Sequence, residues 1–468
     1  MLFSSAIFLF LFLPILLLVY YITPKKLKNT LLLFASLTFY TFGEKELVLI
    51  IIVSTFIDYF AALIIEKYNK NLGLSISIIA NLSFLLYFKY ASFVFENYHA
   101  FLEFFNLQSE QLQSLPNITL PLGISFYTFQ TMSYTIDVYR GNVKANKNFI
   151  NFATYVTLFP QLIAGPIVRY KDIYKQLKYR NQNITQFSEG VERFIIGLAK
   201  KMIIANNLAF VADGIFNMPM NNISSLALWV GVLAYTFQIY YDFSGYSDMA
   251  IGLGKMFGFE FLENFNYPYV SKSIREFWQR WHISLSTWFR DYLYISLGGN
   301  RKGNSRTYIN LIIVFFITGL WHGASWNFIV WGLFHGFFLI LERIGLSKIL
   351  DKLPKAISHI YTLLVVVIAW VLFRANTLYD ALQYIKNMFS FKTDMNSGIL
   401  EYYITKEVVF AFILALIFSF PIYKLTENKL VLKSYYPILK MILLFVIFII
   451  SIMYIAVDTY NPFIYFRF

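Results

Sequence analysis

Residues 307–341 read TYINLIIVFFITGLWHGASWNFIVWGLFHGFFLIL, and this stretch decides the fold class. It holds two apolar runs, 307–321 and 325–341, without a single Asp, Glu, Lys or Arg. A helix that crosses a bilayer needs about 20 mainly apolar residues. The stretch therefore predicts two successive membrane crossings, one outward and one back.

The same apolar character extends over the whole chain of 468 residues, of which 58% are apolar and 14% charged. Soluble domains carry roughly 45–50% apolar and about 25% charged residues. This composition excludes a soluble enzyme and a disordered scaffold, and the absence of cysteine excludes a disulfide module and any thiolate site. We expect an all-α polytopic membrane protein with about 10–12 crossings. The further apolar stretches are 3–22, 30–42, 46–65, 72–95, 119–139, 148–168, 192–217, 224–257, 359–374, 407–423 and 440–457.

Several of these stretches are short or interrupted by glycine and proline. The interruptions near two of them are Pro121, Gly123, Pro160, Gly165 and Pro166. Irregular backbone at membrane depth is tolerated only where protein or a water-filled cavity covers it. We therefore expect some segments to be re-entrant.

Basic residues concentrate in loops and predict the orientation. Residues 169–180 hold five basic residues and one acid, and 272–306 hold seven basic residues and two acids. The positive-inside rule places such loops in the cytoplasm. Both the N-terminus and the tail 458–468 are then extracytoplasmic. The net charge of +13 follows from these loops, so we expect no nucleic-acid binding.

Three of the five histidines, His282, His322 and His335, lie within 54 residues of one another. His322 stands inside an apolar run, where a polar side chain is costly unless it is satisfied or used. Gly319 and Gly323 flank it and allow a ligand or another backbone to come close. His322 and His335 are 13 residues apart and do not share a helix face, so a metal site is disfavoured. The chemistry that remains is general-base activation of a hydroxyl.

The segment 271–306 interleaves tryptophan with arginine. Two interpretations stay open on the residues alone. One is an interfacial amphipathic helix with arginines reaching for the headgroups. The other is a cradle for a phosphorylated donor, in which arginine pairs with phosphate and tryptophan stacks on a purine. The donor-binding candidates are Trp278, Arg280, Trp281 and Arg290.

At this point the sequence resembles the membrane-bound O-acyltransferase (MBOAT) family. The resemblance is closest to its bacterial branch of alginate O-acetylases, peptidoglycan O-acetyltransferases and teichoic-acid D-alanylation proteins. The residues that carry it are WQRWHISLS at 278–286, RDYLYISLGGNR at 290–301, LWHGASW at 320–326, WGLFHG at 331–336, FPQLIAGP at 159–166, YDFSGYSD at 241–248 and FIYFRF at 463–468.

The resemblance implies one membrane domain, 1–468, built as a ring of tilted helices around a funnel. The catalytic core is expected at about 119–343, followed by helices over 359–457 and the short outer tail. The family's invariant histidine falls on His322, and a second family position falls on His282. His335 and Asp242 are expected to support the site.

The resemblance also implies the reaction. Acetyl-CoA in the cytoplasm is the expected donor, no cofactor is held permanently, and no metal is expected. The acetyl group crosses the inner membrane to an SGNH-type partner in the periplasm and reaches an envelope polysaccharide. Peptidoglycan is the favoured acceptor, with alginate or another exopolysaccharide as the alternative. Two further alternatives are acylation of a lipid or protein, and a polysaccharide exporter without enzymatic activity.

Tyr465 in the tail has two interpretations. The aromatic FIYFRF is typical of an interfacial belt. Alternatively, Tyr465 enters the funnel and carries the acyl group as a phenyl ester.

Overall fold

The computed structural model describes residues 1–107, 118–219, 223–393, 398–422, 435–457 and 463–464. These residues form helices and loops, and no strand occurs among them. The α-helices are Leu13–Ile22, Lys28–Glu44, Val48–Lys67, Lys70–Leu85, Ala91–Phe104, Ile124–Tyr139, Phe149–Thr157, Phe159–Leu162, Tyr170–Lys178, Ile184–Ala199, Asn206–Phe216, Ser225–Met256, Ile274–Arg280, Ile283–Trp288, Asn304–His322, Trp326–Leu341, Ser347–Leu350, Lys355–Arg374, Leu378–Met388, Gly398–Tyr403, Lys406–Phe418 and Tyr436–Val457. Short π-helical turns lie at Phe8–Phe12, Leu86–Tyr90, Lys200–Ala205, Phe289–Tyr294 and Glu342–Leu346, and 3-10 turns at Lys25–Leu27, Lys45–Leu47 and Pro268–Val270.

Within these ranges, six continuous helical segments are long and apolar enough to cross a membrane. They are Lys25–Lys67, Lys70–Phe104, Ile184–Phe216, Trp326–Leu350, Lys355–Arg374 and Tyr436–Val457. The first of them bends at Lys45, where φ is 49°, and the shorter apolar helix Phe8–Ile22 precedes it. The expectation of an all-α polytopic membrane protein is confirmed. Other stretches among the 10–12 expected form helices that are shorter or more polar.

The segment 148–168 is broken where its prolines and glycine predict. Helix Phe149–Thr157 ends before Pro160, the short helix Phe159–Leu162 follows, and residues 163–169 are not helical. All residues from 152 to 168 are nevertheless buried. Protein therefore covers the irregular backbone, as a membrane environment requires.

The long helix Ser225–Met256 is the central element, since most of its residues are buried. It crosses helix Ile184–Ala199 at two pairs of glycines. A side chain on Gly252 would meet the Gly190 carbonyl at 2.6 Å, and one on Gly197 would meet the Gly245 carbonyl at 2.5 Å. Small residues let membrane helices approach this closely. The seven-residue spacing of the glycines on both helices sets an antiparallel crossing.

Candidate active site

His322 is the last residue of helix Asn304–His322, which packs on the next helix, Trp326–Leu341. A side chain at Gly319 would collide with the Phe328 carbonyl, and one at Gly323 would collide with the Phe328 ring. The space that these glycines create is therefore filled by a neighbouring backbone and ring. Of the two possibilities that the sequence left open for these glycines, a close ligand or a close neighbouring segment, the structure shows the neighbouring segment.

A cavity of about 100 Å³ reaches His322. The segment 120–126, which leads into helix Ile124–Tyr139, lines the cavity together with Lys89, Ile163, Trp321 and His322. His322 is 3% exposed. Burial of this degree separates the imidazole from bulk water, and electrostatic interactions are stronger where water is excluded.

His282 adopts a rare backbone conformation, with φ 44° and ψ 55°, at the start of helix Ile283–Trp288. Left-handed backbone in a residue other than glycine persists only where the surroundings hold it, and it concentrates at functional sites. Asn264 provides that hold. Its carbonyl oxygen, Oδ1, lies 3.2 Å from the Ser284 backbone nitrogen and 2.8 Å from the Ser284 hydroxyl. The Asn264 backbone oxygen accepts the Ile283 N–H at 2.9 Å.

The same Asn264 oxygen fixes the tautomer of His282. Because the Ser284 backbone N–H donates to it, the side-chain atom at this position is the amide oxygen and can only accept. His282 Nδ1 lies 3.2 Å from that oxygen and therefore carries the proton. Nε2, on the far side of the ring, then carries the lone pair.

Aromatic rings connect the three histidines. The Trp321 ring centroid lies 6.0 Å from that of His282 and 4.9 Å from that of His322. Trp331 lies 4.9 Å from His322 and 5.1 Å from His335 in the same way. The structure thus brings together all three histidines that the sequence singles out.

His335 is fully buried between rings. Its ring is stacked on Phe277 at 6.2 Å and meets Trp278 edge-on at 5.2 Å. Neither ring nitrogen has a hydrogen-bond partner among the described residues. These contacts favour a packing role.

The four donor-binding candidates differ in exposure. Trp278 and Trp281 are 8% and 2% exposed, and Trp281 packs on Trp370 at 4.9 Å. Arg280 is partly buried and pairs with Glu276 at 2.9 Å, whereas the Arg290 side chain is 60% exposed. A binding role for these four residues stays a prediction. Of the four, the two arginines have the more exposed side chains.

Arg290 belongs to a charged cluster centred on Asp291. The Asp291 carboxylate lies 2.8 Å from Arg290 and 2.7 Å from Arg169. Burial alone would raise the pKa of this carboxyl, but the hydrogen bond and charge of Arg290, together with Arg169 and Lys171, bring the pKa below its usual value. The cluster therefore stays ionised and holds its cations in place at neutral pH.

Asp242 binds the described tail residues 463–464 to the helices. One carboxylate oxygen lies 2.7 Å from the Lys201 ammonium, and both side chains are buried. The other oxygen accepts the Ile464 backbone N–H at 2.7 Å. Phe463 is fully buried, with its ring 5.8 Å from that of Phe243. Phe243 in turn meets the His282 ring at 4.6 Å, so Phe463 reaches the aromatic cluster that contains the histidines.

Tyr465 itself lies outside the described residues. Its role as acyl carrier stays a prediction.

The sequence motifs do not single out Lys89, yet it lines the cavity beside His322. Its ammonium lies 2.6 Å from the Trp321 carbonyl and 3.2 Å from the Ser125 hydroxyl. A lysine inside the apolar stretch 72–95 is the signal that points to it, because ionisable residues within membrane helices are functional candidates by default.

Over the part of the chain that the structure describes, no three His, Asp or Glu side chains gather as metal ligands. Three aromatic rings, those of Trp321, Trp331 and Phe373, lie against the His322 ring. Fold and site together define a multi-pass membrane protein with a buried general-base candidate at a small cavity.

Comparison with known proteins identifies the class. The chain matches the model of the MBOAT, membrane-bound O-acyltransferase family, over residues 63–379. It is 41% identical to the probable alginate O-acetylase AlgI of Pseudomonas putida over 493 aligned positions, which cover 100% of both chains. It is 39% identical to the peptidoglycan O-acetyltransferase of Helicobacter pylori over 427 positions, 83% of this chain and 80% of that one. It is 31% identical to the teichoic acid D-alanyltransferase of Streptococcus thermophilus over 258 positions, 50% of this chain and 59% of that one.

The chain therefore belongs to the membrane-bound O-acyltransferase family, and it is an O-acyltransferase. The resemblance that the motifs at 278–286 and 320–326 carry is confirmed.

Proposed function

We propose that this protein takes an acetyl group from cytoplasmic acetyl-CoA and passes it across the inner membrane for O-acetylation of an envelope polysaccharide. The observation that carries the proposal is the cavity that reaches His322, with His282 in the same aromatic cluster. The names of two relatives, an alginate O-acetylase and a peptidoglycan O-acetyltransferase, support acetyl as the group transferred.

His322 is the general base of the transfer. Its imidazole takes the proton from the attacking hydroxyl while the hydroxyl oxygen bonds to the thioester carbonyl carbon. The carbon–sulfur bond breaks, and the departing thiolate receives that proton, so the products are an acetyl ester and free CoA thiol. Proton transfer of this kind contributes about 10²–10⁴-fold to the rate.

His282 orients the thioester. Because Asn264 holds the proton on Nδ1, Nε2 can only accept a hydrogen bond, so His282 acts on the thioester through contact with its ring and donates nothing to the thioester carbonyl. Arg280 and Arg290 attract the phosphates of CoA, while Trp278 and Trp281 form the wall behind them. The donor leaves after each turnover, and no permanent cofactor is required.

The hydroxyl that attacks first is the phenol of Tyr465. The buried Phe463 and the hydrogen bond from Ile464 to Asp242 support this step, because they hold the chain directly before Tyr465 inside the protein. A phenol has a pKa of about 10 and a thiol about 8.5. The acetyl group therefore keeps most of its transfer potential as a phenyl ester.

An extracytoplasmic partner with an SGNH-type esterase fold then takes the acetyl group from Tyr465. The basic loops 169–180 and 272–306 support an orientation with both termini outside. Such an orientation presents the tail to a partner on the outer side.

The final acceptor has two candidates. Peptidoglycan is the first. An alginate-type exopolysaccharide is the second, and the identity of 46% to the probable alginate O-acetylase of Pseudomonas aeruginosa over 84% of this chain favours it. Acylation of a lipid or protein, and polysaccharide export without chemistry, are supported by none of these relatives.

The test follows the label from acetyl-CoA to the tail. Purified protein is incubated with radiolabelled acetyl-CoA, and the C-terminal peptide is then analysed by mass spectrometry. We expect an added acetyl group on Tyr465, no such group in Tyr465→Phe, and at least a 10²-fold slower transfer in His322→Ala.

His359→Ala is the matched control, since His359 lies outside the cavity lining and its Nδ1 is 3.0 Å from the Ser271 carbonyl. It should retain normal transfer. A wild-type rate in the His322→Ala protein would refute the proposed role of the base, and undiminished transfer by Tyr465→Phe would exclude the carrier.

A further inference from the structure

The helix that carries His322 ends at that residue, and this C-terminal end of the helix is buried inside the protein. The last four carbonyl groups of any α-helix lack partners within the helix. Here all four have donors. Gly319 O accepts the Gly323 N–H at 3.3 Å, and Leu320 O accepts the Tyr90 hydroxyl at 2.8 Å. Trp321 O and His322 O accept the Lys89 ammonium at 2.6 and 3.3 Å.

Three of these four donors are therefore supplied from another segment, by the adjacent residues Lys89 and Tyr90. Both lie at the end of the π-helical turn Leu86–Tyr90. Single π-turns inside helices occur frequently at functional sites. This turn directs two neighbouring side chains to one helix end.

Each N–H group of the Lys89 ammonium has a hydrogen-bond acceptor within reach. It has three N–H donors, and three acceptors lie within 3.3 Å, namely Trp321 O, His322 O and the Ser125 hydroxyl. Its positive charge also suits the negative end of the helix dipole. A residue engaged in this way is not placed to bind substrate or to deliver a proton.

A lysine at this depth is costly, and an apolar residue would fill the same space. We propose that Lys89, with Tyr90, is a positioning residue for the acyl transfer. It closes the end of the helix and fixes the His322 backbone at the cavity wall. This inference rests on the proposed role of His322 as the base.

The sequence allows a sharp test, because it contains no cysteine. Lys89→Cys provides a single thiol that reacts with 2-bromoethylamine, whereby a carbon–sulfur bond forms and bromide leaves. The product is a sulfur-containing lysine analogue with the ammonium restored. Iodoacetamide on the same thiol adds similar bulk without charge.

We expect Lys89→Cys to lower kcat about 10²-fold, the effect of a displacement near 1 Å in an active site, with KM for acetyl-CoA within twofold of wild type. Aminoethylation should restore kcat at least tenfold, and iodoacetamide should not. Lys440→Cys, treated identically, is the control, since Lys440 lies in helix Tyr436–Val457, pairs with Glu192 of helix Ile184–Ala199 and does not line the cavity. Its kcat should stay at the wild-type value throughout.

Tyr90→Phe removes one donor only and should lower kcat less than Lys89→Cys does. If the Lys89→Cys protein is not recovered, Lys89→Arg, which keeps a cation, and Tyr90→Phe are measured instead. A wild-type kcat in Tyr90→Phe overturns the proposal that Lys89 and Tyr90 position His322. A wild-type kcat in Lys89→Cys also overturns the proposal, as does an equal recovery of kcat after 2-bromoethylamine and after iodoacetamide. This test distinguishes failure of the Lys89 proposal from failure of the proposed function. If His322→Ala is inactive while Lys89→Cys is fully active, only the positioning role of Lys89 is refuted.

Discussion

At the scale of single residues, the site depends on support that comes from distant parts of the chain. His282 is held by Asn264, 18 residues earlier in the sequence, through one oxygen atom that accepts from three donors. An acceptor shared in this way fixes both the left-handed backbone of His282 and the tautomer of its ring. Asn264 is therefore as informative about the chemistry as His282 itself.

Replacement of Asn264 tests this support. In Asn264→Ala, Ser284 and the imidazole lose their common acceptor, and Nδ1 no longer holds its proton preferentially. We expect kcat for acetyl transfer to fall about 10²-fold and the free energy of unfolding to fall by about 1–3 kcal/mol. Steady-state kinetics in detergent and thermal unfolding measure the two effects.

The conservative variant Asn264→Asp is the control for this prediction. Aspartate keeps an acceptor at the same position, so it should retain more activity than the alanine variant. Equal kcat values in Asn264→Ala and the wild type would show that the ring needs no such support.

The sequence points to the candidate reactive residues more directly than to the residues that support them. His322 stands out because an imidazole in an apolar run needs a reason to be there. Asn264 and Tyr90 do not, since polar residues at such positions are common and their partners are distant in the chain. Lys89 carries the same signal as His322, but its partner, a helix end 232 residues away, is a property of the folded chain.

At the scale of elements, helix breaks and membrane stretches are predictable, and burial is less so. The prolines and glycine at 160–166 end a helix where local backbone chemistry requires it. The segment 271–306 is different. Its alternation of tryptophan and arginine suits a membrane surface, yet Trp278 and Trp281 are buried among other rings. Local pattern does not reveal which side a neighbouring helix covers.

The tail is the element whose docking is most directly testable. Phe463→Ala removes a fully buried ring, which costs about 3 kcal/mol, or roughly a 10²-fold smaller docked population. Because the bundle itself is unchanged, we expect slower acetyl transfer with an unaltered affinity for acetyl-CoA. Binding and transfer are measured separately on the purified protein.

Phe445→Ala is the matched control for the tail, since Phe445 is 64% exposed on the last helix. It should transfer acetyl at the wild-type rate. If Phe463→Ala does the same, the buried segment 463–464 does not present Tyr465 to the donor.

At the scale of the whole molecule, the chain combines an apolar exterior with an interior that contains polar groups. Its buried charged residues include Asp242 and Lys201, which neutralise each other. Removal of one member of a buried ion pair strongly destabilises a protein. This pair therefore links two helical segments, and Asp242 also binds Ile464. Composition predicts the apolar exterior, whereas the pairing inside depends on how the helices cross.

The final acceptor is also decided at this scale, because the proposed route ends on a partner. If this protein only hands acetyl from Tyr465 to an outer enzyme, the partner selects the polysaccharide. The identities, 41% and 46% to two alginate O-acetylases and 39% to a peptidoglycan O-acetyltransferase, then do not decide the acceptor. A strain that lacks this protein separates the two acceptors.

Mild alkali releases acetate from O-acetyl esters but leaves the N-acetyl amides of the sugars intact. We expect the sacculi of the deletion strain to release less than a tenth of the wild-type acetate, while its secreted polysaccharide is unchanged. The wild-type gene should restore the ester and His322→Ala should not, since the base is needed for every acetyl group that crosses. Loss of acetate from the secreted polysaccharide with normal sacculi would instead establish the exopolysaccharide as the acceptor, and the chemistry at His322 would be the same in either case.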